Sequence, residues 1–264
     1  MSSDGVRLNY VESGDPRGRA IVLVAGFTAS AASWRYQVKP LEKAGYRVIA
    51  FDRRGHGASE AGDEPTMDRH GADIHDLLAT LDLDDATIVG GSMGGNSIWA
   101  LVAQFGSDRL RDVVIVDQTP KMLNTDDWPF GFYGYDASNV DTLFAAGIPD
   151  PGRVPPKSKG LVRIARVLKA LEIPRGGKPA LTEAELALLN DHAKRDWRPV
   201  IAAFDRPAFF IAGAESEVWP AAHAAASAAL TPLASSTVIE RDGHSANIEQ
   251  PQRFNEALLG FLKR

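Results

Sequence analysis

A single serine stands among glycines directly after a run of β-branched residues, in the stretch IVGGSMGG at residues 88–95. Residues 90–94 fit the pattern G-x-S-x-G, at a point where a strand is predicted to pass into a helix. A sharp turn there strains the backbone of the serine and exposes its hydroxyl, and glycines let strand and helix approach closely. The N-terminus of the helix favours negative charge on a nearby substrate oxygen. We therefore predict that Ser92 is the nucleophile of an acyl-transfer reaction.

A serine nucleophile needs a base, because a free hydroxyl is a poor nucleophile at neutral pH. Of the six histidines, His244 is the candidate, since it follows the predicted strand TVIE and the turn residues Asp242 and Gly243 in a loop that can reach Ser92. His56 is its competitor. The other histidines occur in helical or capping contexts without the spacing of metal ligands, and we expect them at the surface: His70, His75, His192 and His223.

The elements that must position these residues follow a regular alternation of strands and helices. Segments with helical periodicity separate short apolar runs, as expected for a parallel sheet with helices on both faces. The leading VRLNYVES alternates and predicts an antiparallel edge hairpin. The strand runs are IVLVA (21–25), VIAF (48–51), TIVG (87–90), VVIVD (113–117), FFIAG (209–213) and TVIE (237–240).

Residues 121–207 break this rhythm. No strand is predicted there, but Leu161, Ile164, Ala165 and Leu168 have helical spacing, between the loops DPGRVPP and PRGGKP. An excursion of this length is improbable as bare loop, so we predict a helical cap at 121–207 over a core formed by 1–120 and 208–264. Its aromatic stretch NTDDWPFGFYGYD is either the lining of a pocket or ordinary packing between cap and core.

Composition excludes several classes of protein. The net charge of -5 comes without a basic cluster and argues against a nucleic-acid binder, and the absence of cysteine excludes disulfides, thiolate nucleophiles and Cys-ligated zinc. No segment has the length of a signal peptide or the roughly 18 apolar residues of a membrane span. We expect a cytoplasmic protein with a small-molecule substrate, no metal and no cofactor, and we leave a homodimer open.

Four motifs in this order resemble the α/β-hydrolase fold superfamily over essentially the full length of the chain. They are VLVAGFTASAASW, FDRRGHGAS, the G-x-S-x-G turn, and DGHSANIEQPQRFNEALLGFL near the end. The resemblance implies an eight-stranded, mostly parallel α/β sheet with helices on both faces. It also implies a helical cap after the sixth strand, VVIVD.

The acid is where the sequence departs from the pattern that the resemblance implies. The family commonly carries it after the strand FFIAG, where this chain has Ser216. Either Glu215 or Glu217 takes over from a neighbouring position, or Asp117 supplies the carboxylate from the end of the preceding strand, as in some members of the family. We favour Asp117, because a neighbouring glutamate needs a change of loop register and Asp117 needs none.

The resemblance also implies an oxyanion hole and a pocket. The backbone N–H groups of Met93 and Phe27 are the expected donors, although Ala25 stands where relatives usually have histidine. We expect Phe27 and four further aromatic residues to frame an apolar pocket under the cap: Trp34, Trp128, Tyr133 and Trp219.

The predicted activity is hydrolysis of an ester or lactone of a medium-sized, largely apolar substrate, through a Ser92, His244 and Asp117 triad and an acyl-enzyme. Other readings remain open on this fold. A cofactor-independent dioxygenase would use the His-Asp pair without Ser92. A lyase or a perhydrolase would share the scaffold, and a ligand receptor would keep the triad without turnover.

Overall fold

The computed structural model describes residues 1–153, 160–174, 176 and 179–264. The two loops predicted around residues 150–156 and 174–179 therefore lie partly outside the described residues. Among the described residues, no helix combines the length and the apolar character that crossing a membrane requires.

The described residues form a seven-stranded sheet with the order β1-β3-β2-β4-β5-β6-β7. Strands β2 to β7 run parallel, and β1 is antiparallel to β3. The six apolar runs predicted as strands fall in β2 to β7, so the predicted parallel α/β sheet is confirmed. The strands are β1 (Tyr10–Gly14), β2 (Ala20–Val24), β3 (Arg47–Phe51), β4 (Ala86–Gly91), β5 (Leu110–Val116), β6 (Ala208–Gly213) and β7 (Ala234–Ile239).

The predicted count of eight strands is wrong by one, because the expected N-terminal hairpin is a single edge strand. The residues before Tyr10 bond to the loop that follows β3 instead of pairing as a second strand. The carbonyl of Arg7 accepts from Glu60 N, and the carbonyl of Asn9 accepts from Asp52 N, both at 3.0 Å. These bonds occupy the backbone groups that a hairpin partner would need.

Helices cover both faces of the sheet. Alternate residues of β2 belong to opposite cores, with Ile21 and Leu23 on the face of α1 and α9, and Val22 and Val24 on the face of α2 and α3. This is the period of two expected for a strand that is buried on both sides. The helices are α1 (Arg35–Lys43), α2 (Met67–Thr80), α3 (Met93–Phe105), α4 (Gly160–Ala170), α5 (Glu183–Lys194), α6 (Arg198–Ala203), α7 (His223–Ala228), α8 (Ala246–Glu249) and α9 (Pro251–Leu262).

The segment between β5 and β6 contains α4, α5 and α6, and its described residues form no strand beyond isolated bridges. The helix predicted around Leu161 to Leu168 is present, but its apolar residues face outward: Leu161 is 85% exposed and Ile164 46%. Arg163 is instead buried and pairs with Glu249 of α8. The division into a core and a cap at 121–207 stays a prediction.

Candidate active site

Ser92 lies in a strained turn between β4 and α3. Its backbone has φ 50° and ψ −132°, in the left-handed half of φ space that residues with a side chain rarely occupy. A Cβ on Gly90 would lie 2.6 Å from the backbone of Gly94 and Gly95, and a Cβ on Gly94 would lie 2.6 Å from the carbonyl oxygens of Val24 and Ala25. The glycines are therefore required by close packing of helix against strands, as the sequence pattern indicates.

The His244 ring bridges Ser92 and Asp117. Its Nε2 lies 2.9 Å from Ser92 Oγ, and its Nδ1 lies 2.7 Å from Asp117 Oδ2. These three residues follow the carboxyl ends of β7, β4 and β5, which meet at one edge of the parallel sheet. The His244 side chain is 28% exposed, so the ring is open to the solvent side of the site. The structure brings together the three residues that the sequence predicts as nucleophile, base and acid.

Asp117 is fully buried and held by several donors. Oδ1 accepts from Gly213 N at 3.0 Å, and Oδ2 accepts from Ser216 Oγ at 2.6 Å. His223 Nε2 lies 3.5 Å from Oδ1, at the limit of a hydrogen bond. Burial by itself raises the pKa of this carboxyl, but the interactions with His223 and His244 outweigh it, and the net pKa is well below the ordinary range. Asp117 is therefore an anion beside the imidazole.

The two alternative acids contact other groups. Glu215 Oε2 lies 3.0 Å from Arg163 Nη1, and Glu217 Oε2 accepts the backbone N–H of His244 at 3.2 Å. Sequence reasoning missed the part played by Ser216, which bonds the carboxylate that contacts the imidazole. The signal was available, since this serine occupies the position where the resemblance implies an acid.

The loop after β2 lies against the Ser92 turn. A Cβ on Gly26 would be 3.2 Å from both Gly91 O and Ser92 Cβ. Phe27 and Met93, the predicted oxyanion donors, both line a cavity at Ser92. Their backbone N–H groups donate to no acceptor in the part of the chain that the structure describes. The arrangement leaves two main-chain donors beside the hydroxyl.

Two cavities meet at the reactive pair. One has a volume of about 190 Å³ and the other about 40 Å³, and both are lined by Phe27, Ser92, Ile148 and His244. Neither is lined by a Lys, Arg, Asp or Glu side chain among the described residues. The smaller cavity is completed largely by residues that the sequence did not single out, among them Gln118, Met122, Phe144, Leu189 and Val218. Phe132, from the aromatic stretch NTDDWPFGFYGYD, also lines it.

The four predicted pocket aromatics divide into two pairs. Trp34 lines the larger cavity and Trp219 the smaller one. Trp128 and Tyr133 line neither of these two cavities, and their place in the substrate pocket stays a prediction. The Trp128 indole donates to Thr119 Oγ1 at 3.1 Å, and the Tyr133 ring lies under the guanidinium of Arg153 at 4.0 Å. Packing within the segment after β5 therefore occupies these two rings.

The prediction of surface histidines is wrong for His70, His192 and His223, which are 1 to 3% exposed. His192 lines the smaller cavity, and burial lowers its pKa to about 3, so its ring is neutral at physiological pH. His56 is also buried and contacts Arg53 and the carbonyl of Arg54, whereas the imidazole that contacts Ser92 is that of His244. Within the described ranges, no group of three or more His, Asp or Glu side chains has the arrangement of a metal site.

The chain belongs to the α/β hydrolase fold family, whose model matches residues 19–251. It is 29% identical over a 285-residue alignment to the non-heme chloroperoxidase CPO-A1 of Kitasatospora aureofaciens, covering 99% of this chain and 98% of that protein. It is 27% identical over 263 residues to 3-oxoadipate enol-lactonase 1 of Acinetobacter baylyi, covering 98% and 94%. The solved structure of bromoperoxidase from Bacillus anthracis matches with a TM-score of 0.80 and 27% identity, over 98% of this chain and 96% of that one.

Proposed function

We propose that the protein hydrolyses carboxylic esters or lactones through an acyl-enzyme formed on Ser92. The observation that carries this proposal is the unbroken line of contacts from Ser92 Oγ through the His244 ring to the Asp117 carboxylate, at 2.9 and 2.7 Å. A hydroxyl, an imidazole and an orienting carboxylate in this order are the parts that activate a serine for acyl transfer. The similarity to an enol-lactonase supports the same class of reaction.

In the first half of the reaction, His244 Nε2 takes the proton of Ser92 while Oγ attacks the carbonyl carbon. Asp117 accepts the hydrogen bond of Nδ1–H, selects that tautomer and stabilises the imidazolium that forms. The N–H groups of Phe27 and Met93 bind the oxyanion. The imidazolium then protonates the leaving alcohol, and a water that His244 deprotonates releases the acid and restores the hydroxyl of Ser92.

The lining of the two cavities supports a medium-sized, largely apolar and uncharged substrate. The larger cavity is bordered by Trp34, Ile148 and Leu171, and the smaller one by aliphatic and aromatic side chains with no charged residue in either lining. A charged substrate group would be desolvated there without a partner. The volumes of about 190 and 40 Å³ suit a scissile bond with one larger and one smaller arm.

The test is labelling with a fluorophosphonate probe together with hydrolysis of short p-nitrophenyl esters. We expect the wild type to be labelled and active, and Ser92→Ala and His244→Ala to lose both signals. Ser245→Ala is the matched control, because Ser245 lines the same larger cavity and is outside the contact chain. Retained activity with oxygen uptake in Ser92→Ala would instead support the His-Asp dioxygenase, and stoichiometric ligand binding without labelling would support a receptor.

A second candidate is perhydrolysis, which the similarity to a chloroperoxidase and a bromoperoxidase favours. Hydrogen peroxide would replace water in the second half of the reaction, so that the acyl-enzyme yields a peracid and free Ser92. Peracid formation from an ester and peroxide measures it directly. Both reactions need the acyl-enzyme, so Ser92→Ala abolishes both, and the ratio of peracid to acid in the wild type decides between them.

A further inference from the structure

Arg53 is a buried cation beside the loop that follows β2. Its Nε donates to the carbonyl of Ala25 at 2.8 Å and its Nη2 to the carbonyl of Gly26 at 2.9 Å. Its remaining contacts are the rings of His70, at 3.1 Å, and His56, at 3.2 Å. In the described part of the chain, no carboxylate lies within ion-pair distance of this guanidinium, although its side chain is only 1% exposed.

The next residue shows the ordinary way to bury an arginine. Arg54 makes two hydrogen bonds of 2.7 Å to Asp73 and lies 2.9 Å from Asp4. A buried charge is costly unless it is paired, and even buried ion pairs are often replaced by apolar side chains without loss of stability. Pairing with carboxylates explains why Arg54 can be buried. Arg53 is buried among neutral groups, and a contribution to fold stability is a weak explanation for an arginine at that position.

The Gly26 carbonyl that Arg53 holds is half of a peptide unit whose other half is the N–H of Phe27. The chain contains no cis peptide among the described residues, so this carbonyl and this N–H point in opposite directions from one plane. A donor that fixes the carbonyl therefore fixes the direction of the N–H as well. The unit lies directly on the Ser92 turn, since a Cβ on Gly26 would be 3.2 Å from Ser92 Cβ.

We propose that Arg53 is a positioning residue for the oxyanion site: its guanidinium locks the peptide between Gly26 and Phe27 and polarises the Phe27 N–H toward the substrate oxygen. The inference rests on the proposed acyl transfer and names a residue on which its transition state depends. A hydrogen bond from a cation to the carbonyl withdraws electron density from the amide and strengthens the N–H as a donor. The preorganised donor then stabilises charge without rearrangement during the reaction.

The kinetic test compares phenyl acetate with phenyl thionoacetate, whose tetrahedral intermediate carries its charge on sulfur, a weak hydrogen-bond acceptor. We expect Arg53→Met to lower kcat for the oxygen ester on the order of 100-fold with little change in KM. Its rate on the thionoester falls far less, so the ester to thionoester ratio drops. Arg53→Lys keeps a cation but has a less suitable donor geometry, so we expect an intermediate ester to thionoester ratio. This variant replaces Arg53→Met in the test if the methionine variant does not fold.

Arg54→Met is the matched control, because it removes an equally buried arginine that contacts Asp73 and Asp4 instead of the loop. It lowers thermal stability and leaves the ester to thionoester ratio at the wild-type value. A wild-type ratio in both Arg53 variants, or an equal fall in the Arg54 variant, would overturn the inference.

A second readout does not depend on hydrolysis. In protein labelled with ¹⁵N-phenylalanine, which has eleven phenylalanine signals, the Phe27 amide is identified by its loss in Phe27→Leu. We expect its proton signal to move toward the random-coil position in Arg53→Met and to stay in place in Arg54→Met. If the wild type proves to have no acyl-transfer activity, the proposed function fails and this signal alone decides the inference: an unmoved Phe27 amide in the Arg53 variant sinks it.

Discussion

The loops that follow β5 and β6 approach the same imidazole with different chemistry. The first carries Asp117, whose carboxylate contacts His244, and the second carries Ser216, whose hydroxyl donates to that carboxylate at 2.6 Å. Because β5 and β6 are neighbouring parallel strands, with Val116 beside Ile211, their ends open at the same place. An orienting carboxylate can therefore come from the end of either strand. In this chain the loop after β5 supplies the carboxylate, and the loop after β6 supplies a hydroxyl that donates a hydrogen bond to it.

The sharpest way to break this comparison is to remove the charge from the first loop. We expect Asp117→Asn to lower kcat on an activated ester on the order of 10⁴-fold, since the asparagine favours the wrong imidazole tautomer and no longer stabilises the imidazolium. Glu217→Gln is the control, because its carboxylate accepts the backbone N–H of His244, and it should change kcat little. The reverse ranking would assign the acid to the second loop.

Moving the charge between the loops tests whether the two positions are equivalent. We expect Asp117→Asn combined with Ser216→Asp to recover about 10- to 100-fold of the activity that Asp117→Asn loses, because residue 216 already borders the oxygen that the imidazole contacts. Ser216→Asp alone should lower activity by placing a second carboxylate beside Asp117. Steady-state kinetics of the three variants measure this, and simple additivity of the two losses would refute it.

Removing only the support has a smaller effect. Ser216→Ala deletes one charged hydrogen bond and leaves those from Gly213 and His244, so we expect a loss of kcat of about 3- to 10-fold, in line with about 1 kcal/mol. The acidic limb of the pH profile should keep its shape, because Asp117 stays ionised. A loss as large as that of Asp117→Asn would mean that the hydroxyl acts on the imidazole directly.

A second buried carboxyl near Asp117 extends the comparison to protein stability. Asp242 is fully buried, and neither of its oxygens has a hydrogen-bond partner in the described chain. Burial first, and the neighbouring Glu249 and Asp117 next, raise its pKa to about 9, opposite in direction to Asp117. The folded state therefore favours the protonated form of Asp242. Its contribution to the free energy of unfolding is fully present below the ordinary pKa near 3.8 and is lost as the pH rises toward 9.

We accordingly expect Asp242→Asn to raise Tm by several degrees at pH 8.5 and by little at pH 4.5. Asp63→Asn, at an exposed position, should give no such trend. Thermal unfolding at several pH values measures the difference between each variant and the wild type. A gain that is independent of pH would show that Asp242 is ionised in the fold.

Much of the fold and part of the site could be predicted from the sequence because the signals are local. The apolar runs that form β2 to β7 are continuous in the chain, and the glycines around Ser92 by themselves predict a tight turn. The edge hairpin was mispredicted because alternation in VRLNYVES does not reveal its partner, which is β3 and the loop behind it. The sequence also did not predict that the apolar face of α4 points outward. Periodicity shows that a helix has an apolar stripe, but not which side of the helix packs against the rest of the protein.

What the sequence by itself determined is the parallel sheet, the turn that exposes Ser92 and the candidate imidazole, all of which follow from short-range pattern and backbone geometry. Only the tertiary structure decided which carboxylate meets the imidazole, which histidines are buried, which aromatics line the cavities and which of two adjacent arginines holds the loop of Phe27. The physical reason is separation along the chain: His244 contacts Asp117 from 127 residues away and Ser92 from 152. Contacts of that range depend on how strands are ordered in the sheet, which no local pattern encodes.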